Sequence, residues 1–377
     1  MSESDSLLIG STAPRAVEAW SLVRSMLDHM TKMVQEDAEN ETELVEGLRV
    51  LARATALCSE LSVDVDYEHP YFFSMNTRMR YVGGPNPDGE YHLGMIDGER
   101  RYRISGRRGT VCYLGFQVLA GRGLAPRRMA GYLSDRDLRL HADGSFEIVL
   151  ARERPAPEHL RSATWLAIPD DASAIVARQY IGDRAREVPA SYSIETIDPS
   201  PQRTLPSDEA IATQLTAMAW TIAKLTTLHR TIMPELRADP NRLITAEAAR
   251  LGSENTTPDN LYMLGTFRLN PDEALVIDVH PPKTRYWSLT LENIWHECFD
   301  VGHRRISITH AAAIPRPDGR VRLVIAGSDP GVPNWLDTGG RHRGFMTFRW
   351  LDNPRPPQAE TRVVRTVDLP RIEQEEL

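Results

Sequence analysis

The chain has 377 residues, 41% of them apolar and 25% charged, which is the balance of a soluble globular protein long enough for two or three domains. With 44 basic and 52 acidic side chains the net charge is −8, so a nucleic-acid partner has no electrostatic support. The basic cluster Arg100, Arg101, Arg103, Arg107 and Arg108 lies among Asp97 and Glu99 and reads as a solvated strand face.

The opening MSESDSLLIGSTAPRAVEAW lacks the basic and apolar regions of a signal peptide, and no run of 18 apolar residues follows anywhere. No membrane span is therefore expected. Cys58, Cys112 and Cys298 are odd in number and far apart, which argues against a disulfide framework or a paired-cysteine zinc site. These features predict a reducing, cytoplasmic location.

Residues 12–38 carry Val17, Trp20, Val23, Leu27 and Met30 at helical spacing, and 41–61 repeat the pattern with Leu44, Leu48, Leu51, Ala54 and Cys58. Between them EDAENETE has the chemistry of a turn that starts a helix, so residues 1–62 are predicted as an N-terminal helical hairpin. Its stripe of Met26, Met30 and Met33 is read as packing. Over 63–200 short runs such as RYRISG, TVCYLGFQVLA, SFEIVLA and AIVARQYI lie between Gly, Pro and Asp, the texture of a first β-sandwich. A helical connector is expected over 201–255. It holds a helix at 207–230 behind an N-cap at Ser207, then a short helix at 243–251. Strand texture returns over 256–377, and the final RIEQEEL is expected to fray.

The two β segments repeat each other in order. NPDGEYHLG at 86–94 matches TPDNLYMLG at 257–265, and ADGSFEIVL at 142–150 matches PDGRVRLVI at 317–325. Arg101-Tyr102 is paired with Arg285-Tyr286, Trp165-Leu166 with Trp335-Leu336, and Tyr180 with Trp350. The Asp-Gly pairs have the positive-φ chemistry of tight hairpin turns. The chain is thus predicted to be mainly β with helices: two related β-sandwich modules, an N-terminal helical hairpin and a helical connector.

NLYMLGTFRLNPDEALVI, RYWSLTLENIW and DPGVPNWLDTGGRHRGFMTFRW together resemble domain of unknown function 1214, over about residues 256–352. The first module is similar, more loosely, to the companion domain of unknown function 1254, whose Asp-Thr-Leu-Tyr stands where this chain has Asp88-Gly89-Glu90-Tyr91. The resemblance implies two jelly-roll-like sandwiches in series, decorated by helices, in a bacterial protein. It implies no reaction. Relatives tend to place an apolar or aromatic residue after the tryptophan matched by Trp295, where this chain has His296, so a role for that histidine is not inherited.

The densest chemistry lies in RYWSLTLENIWHECFD, residues 285–300. Strand alternation puts Arg285 and Trp287 on one face, and continuing it would place Trp295 with Trp287 and His296 opposite. Trp287 and Trp295 are either sandwich core or walls of an apolar pocket. His296, Glu297, Asp300 and His303 lack the HExxH spacing that puts two histidines on one helical face, so no metal is assigned. His342 near Asp337, in the glycine-rich NWLDTGGRHRG, is a candidate acid/base pair on a loop that otherwise is merely solvated. The repeated PDxxY motif either fixes a turn or joins a carboxylate to a phenol donor. No GxSxG, phosphate loop or strand-to-helix glycine fingerprint occurs.

These observations support an enzyme without a cofactor, acting by acid/base chemistry on a mainly apolar small molecule such as a terpenoid, steroid or aromatic metabolite. Asp88, Glu90, Tyr91, Asp259, Tyr262 and His296 are the candidate catalytic residues, and Arg285, Trp287, Trp295, Trp335 and His342 the candidate binding residues. The alternatives are a non-catalytic carbohydrate- or lipid-binding sandwich and a structural subunit paired through sheet edges into a homo-oligomer.

Overall fold

The computed structural model describes residues 14–63, 65–122, 125–197, 205–251, 256–352, 355 and 357–375. Helix α1 (Arg15–Asp37) and helix α2 (Glu41–Ser62) form the N-terminal pair. Asn40 caps α2, its side chain accepting from Glu43 N at 3.0 Å, while Glu43 accepts from Glu39 N at 2.7 Å.

The first module holds β1 (Phe73–Ser74), β2 (Gly89–Met95), β3 (Tyr102–Arg107), β4 (Tyr113–Ala120), β5 (Arg128–Ser134), β6 (Ser145–Ala151), the short α3 (Pro157–Leu160), β7 (Thr164–Ala167), β8 (Ala172–Tyr180) and β9 (Ser191–Thr196). They form a five-stranded sheet in the order β1-β2-β8-β4-β5 and a four-stranded sheet in the order β7-β6-β3-β9. Their inward side chains, among them Tyr102, Ile104, Phe116, Val118, Ile148 and Ile175, make one core.

The connector holds α4 (Asp208–Thr226), started by Ser207 accepting from Ala210 N at 3.1 Å, and α5 (Leu228–Thr231). Strand β10 (Arg242–Ala246) follows, then α6 (Ala248–Leu251). The short helix expected over 243–251 is thus largely a strand. Ile244 and Thr245 are β-branched, and β10 pairs with the next strand through Ile244 opposite Leu264.

The second module holds β11 (Asn260–Arg268), β12 (Glu273–Val279), β13 (Trp287–Glu292), β14 (Ser307–Thr309), β15 (Val321–Ala326), β16 (Trp335–Asp337), β17 (Arg343–Leu351) and β18 (Ala359–Arg365). Its sheets run β10-β11-β17-β13-β14 and β16-β15-β12-β18, the same order as the first module element for element. The chain closes on α7 (Leu369–Glu375). It buries Leu369, and of the tail expected to fray residues 371–375 are helical, Glu373 lying 3.2 Å from both Arg316 and Arg322, while 376–377 lie outside the described residues.

The register corrects two pairings within the repeat. Arg101-Tyr102 opens β3, whose counterpart is β12, not the segment at Arg285-Tyr286. The counterpart of Tyr286 is Tyr113: Tyr113 lies opposite Tyr180, and Tyr286 accepts through its carbonyl from Leu351 N. Arg178 pairs with Tyr91 and Arg349 with Tyr262, so Tyr180 corresponds to Leu351, one residue beyond Trp350. The tryptophan match holds in detail, because Trp165 Nε1 donates to Ala151 O and Trp335 Nε1 to Ala326 O, both at 3.1 Å.

Helices α1, α2 and α4 cover the outer face of the first five-stranded sheet, packing Met30, Met33, Leu57, Leu215 and Ile222 on Leu93, Leu119 and Val176. The methionine stripe is packing, as its pattern predicts. The outer faces of the two five-stranded sheets meet elsewhere, through Tyr113, Tyr180, Tyr286 and Leu351. Tyr180 stacks on Tyr286 with ring centres 5.0 Å apart.

Candidate functional site

A cavity of about 590 Å³ opens where the two outer faces and helices α2 and α4 converge. The first module contributes Tyr91, Leu93, Leu119, Val176 and Arg178, and the second Tyr262, Leu264, Glu292, His296, Thr347 and Arg349. Leu57 and Leu61 of α2 and Trp220 of α4 complete the wall, with Trp220 at 51% exposure facing the solvent side.

The repeat builds this cavity. Tyr91 and Tyr262 are 171 residues apart, as are Arg178 and Arg349, and each tyrosine sits opposite its arginine on the neighbouring strand. Each guanidinium lies over its own ring, at 5.7 Å for Arg178 on Tyr91 and 5.9 Å for Arg349 on Tyr262. Both arginines are buried, at 4% and 2% exposure. Burial pushes both phenols above their ordinary range, and both guanidiniums act on each phenol in the opposite sense.

The two halves differ where strand register makes them comparable. Glu292 lies opposite Phe345 and Leu119 opposite Ala174, so the second module has Glu292 where the first has Leu119. Likewise Thr347 stands where the first module has Val176. At these two positions the first module is apolar and the second polar.

The polar side centres on a carboxylate–imidazole pair. Glu292 is fully buried, and its Oε2 lies 2.8 Å from His296 Nδ1, while Thr347 Oγ1 donates to Oε1 at 2.8 Å. Burial alone would raise the Glu292 carboxyl; the hydrogen bond from His296, with Arg349 and Thr347, brings it below its ordinary value instead. His296 stacks on Phe345, ring centres 3.8 Å apart, and has φ +56°. Asn293 sets that turn, its Oδ1 accepting from Trp295 N at 3.0 Å and from Glu297 N at 3.1 Å. With Nδ1 engaged by Glu292, His296 Nε2 is buried and has no protein partner. Gly84 (φ +67°) packs against the pair: a Cβ there would stand 3.3 Å from Glu292 Oε2. Its carbonyl accepts from Arg349 Nη2 at 2.7 Å, and its N donates to His296 O at 2.8 Å.

The same Asn293 turn breaks the alternation expected past Glu292. Trp287 lies in the core of the second module against Phe348 and Trp350, whereas Trp295 packs on the helices and donates its Nε1 to Glu43 O at 2.9 Å. The two tryptophans therefore share no wall, and neither lines the cavity.

Of the candidates read from sequence, Tyr91, Tyr262 and His296 come together in the cavity. Asp88 and Asp259 lie between the modules. Ser307 Oγ donates to Asp88 Oδ2, and Tyr132 Oη to Asp259 Oδ2, each at 2.5 Å. Ser307 lies opposite Thr290 and Tyr132 opposite Gln117, so these are equivalent contacts made reciprocally. Glu90 accepts from Gln179 Nε2 at 2.9 Å. Arg285 binds Asp135 and Asp352 at the rim of the module interface. Trp335 is half-buried on its own strand, and His342 Nδ1 lies 3.3 Å from Leu269 O while Asp337 pairs with Arg304 at 2.8 Å. Arg178, Glu292, Thr347 and Arg349 also line the cavity and belong to none of the sequence candidates. Carrying the 171-residue offset of the PDxxY motif forward to VARQYI and TFRWL marks both arginines.

Glu297 binds Arg49 at 2.8 Å and also Arg53, so it clamps α2 rather than joining a ligand set with His303. No group of three His, Cys, Asp or Glu side chains placed to hold a metal occurs among the described residues. Among those residues no helix is long and apolar enough to cross a membrane.

The family described as Protein of unknown function (DUF1214) matches residues 121–183 and 268–355, one stretch in each module. The match in the first module is to this same family, and the looser similarity to the companion family is not shown. No curated protein matches. Among solved structures, an uncharacterized protein from Burkholderia cenocepacia is similar at 31% identity, covering 92% of this chain and 97% of that one, with TM-score 0.87. The VPA0106 protein from Vibrio parahaemolyticus is similar in fold, at 12% identity, 84% and 97% coverage and TM-score 0.51. With the same family recurring in both modules, and a 31%-identical relative matched almost end to end, the chain belongs to the DUF1214 family.

Proposed function

We propose that the chain is an acid/base enzyme acting on a mainly apolar small molecule held in the central cavity. The observation that carries this reading is the buried Glu292–His296 pair in the cavity wall, with Nε2 free of any protein partner. Nδ1–H donating to Glu292 Oε2 makes Nε2 the proton acceptor, and the carboxylate behind the ring steadies the imidazolium that forms. Thr347 fixes the carboxylate and Phe345 the ring plane. The Tyr91 and Tyr262 phenols, kept protonated by burial, are donors for an oxygen of the substrate. Leu93, Leu119, Val176 and Leu264 take its apolar body, in a volume within the usual range for small-molecule pockets.

The test has two steps. Native and denaturing mass spectrometry of the purified chain looks for a retained small molecule. Apolar ketones, enones and aromatic alcohols are then incubated with the protein in D2O and followed by NMR. Wild type should exchange a substrate proton, and His296→Gln should slow that exchange by about 100-fold or more. A chain that retains nothing and exchanges no proton on any compound, or a His296→Gln variant as fast as wild type, defeats the proposal.

A further inference from the structure

Two buried arginines line this cavity, and the hydrogen bonds of each run to neutral groups rather than to a carboxylate. Among the described residues neither Arg178 nor Arg349 forms an ion pair. Arg178 Nη2 donates to Gln117 Oε1, and its Nε is buried without a partner. Arg349 donates to Thr290 Oγ1 at 3.3 Å and to Gly84 O at 2.7 Å. Gln117 and Thr290 are repeat-equivalent, so each guanidinium is steadied by a neutral group at the same place in its module. The nearby carboxylate, Glu292, is already bonded to His296 and Thr347. Burying a cation against neutral partners is costly, and arginine is the side chain whose planar fork matches an oxyanion. Two such forks, one from each module, face a cavity that also has an apolar wall of Leu93, Leu119, Val176 and Leu264.

We infer that the ligand of this cavity carries an oxyanion head group, a carboxylate or a phosphate, gripped between Arg178 and Arg349, with its apolar body against the first module's wall. This rests on the cavity being the functional site and adds the substrate class to it. The head group gives each guanidinium a bonded oxyanion partner, which Glu292, held by His296 and Thr347, does not, and the Tyr91 and Tyr262 hydroxyls supply further donors. The arrangement sets the substrate's orientation: the anion sits at the arginines, and the reacting carbon or oxygen lies toward His296.

The experiment uses the full chain and three probes of one chain length: decanoate, decyl phosphate and decanol. Binding is followed by calorimetry and by the concentration-dependent rise of the melting temperature. Decanoate or decyl phosphate should bind at least about tenfold more tightly than decanol, and the better of the two identifies the head group. Arg178→Gln and Arg349→Gln should each abolish that preference, while Arg178→Lys, which keeps the charge, should retain part of it. The comparison within wild type stands even where a glutamine variant fails to fold. Equal binding of decanol and both anions overturns the inference, as does the absence of any anion binding. Anion preference without proton exchange would sink the enzyme reading and leave this one standing; exchange on neutral compounds without anion preference would do the reverse.

Discussion

His296→Ala removes one half of the buried pair and leaves Glu292 facing the cavity with only Thr347 donating to it. A buried carboxylate that loses a charge-assisted donor destabilises the fold by about 3 kcal/mol. The loss of the ring stacked on Phe345 adds about 1 kcal/mol. The backbone term cancels, because both side chains carry a Cβ at the same φ of +56°. The effect has a pH signature whose sign is fixed. In wild type the Glu292 carboxyl is held below its ordinary value, so the stability it contributes is complete above the ordinary carboxylate range and is lost as pH falls through its folded pKa. In the variant only Arg349 and Thr347 still oppose burial, so the carboxyl rises relative to wild type, and the cost is greatest near pH 7 and shrinks toward about pH 5, as Glu292 takes up a proton. Urea denaturation at both pH values measures this. Glu292→Gln/His296→Ala, which removes the charge as well, should recover about 1–3 kcal/mol relative to the two single losses added together. A cost under about 1 kcal/mol, a cost flat with pH, or strict additivity in the double variant would refute the buried, coupled pair.

Further predictions follow from backbone and interface. Gly84→Ala places a Cβ at φ +67° and 3.3 Å from Glu292 Oε2, so it should destabilise by about 1–3 kcal/mol in urea denaturation and disturb the His296 ring signals in NMR. Gly47→Ala should also destabilise, by about 1–3 kcal/mol: its Cβ would stand 2.5 Å from Val34 Cγ1 and 2.8 Å from the Trp295 ring, which outweighs the gain of about 1 kcal/mol in helix propensity. Tyr132→Phe and Ser307→Ala each strip a hydroxyl from a partly buried aspartate between the modules; each should cost about 1–2 kcal/mol, and the two should add within about 0.5 kcal/mol in the double variant.

Elements with a strong local signal were legible in the sequence. The helices α1, α2 and α4, the Ser207 cap and the strand texture of both modules are all legible, although Val17, Trp20 and Leu48 of the expected apolar stripes lie exposed. The segment at 243–251 was misread because a few residues of mixed pattern do not distinguish helix from strand, and the edge of β11 decided it. The repeat was legible as short motifs, but its register was not. Aromatic identity suggested Tyr180 with Trp350, whereas hydrogen bonding puts Arg178 with Arg349. That single-residue shift hid the arginines, since one step along a strand moves a side chain to the other face. Tyr91, Tyr262 and His296 were found because they sit in conspicuous motifs. Glu292 has no motif of its own: it is the last residue of β13, and the Asn293 turn, which strand alternation does not foresee, carries His296 to it.

The duplication explains why a cavity forms between two sandwiches. Equivalent contacts run both ways across the interface: Asp88 to Ser307 and Asp259 to Tyr132, Asn86 to Tyr286 and Thr257 to Tyr113. Such reciprocal contacts fix one relative orientation, and in it the outer faces present the same residues, Tyr91 with Arg178 and Tyr262 with Arg349, toward a shared space. A perfectly symmetric wall would give a substrate two equivalent poses. Leu119 and Val176 on one side, against Glu292 and Thr347 on the other, remove that equivalence. His296 then completes only the polar side, through a turn that Asn293 builds after β13. On the proposed function, the half of the repeat shared by both modules would make the grip, and the half that differs would determine which end of a bound molecule meets the imidazole.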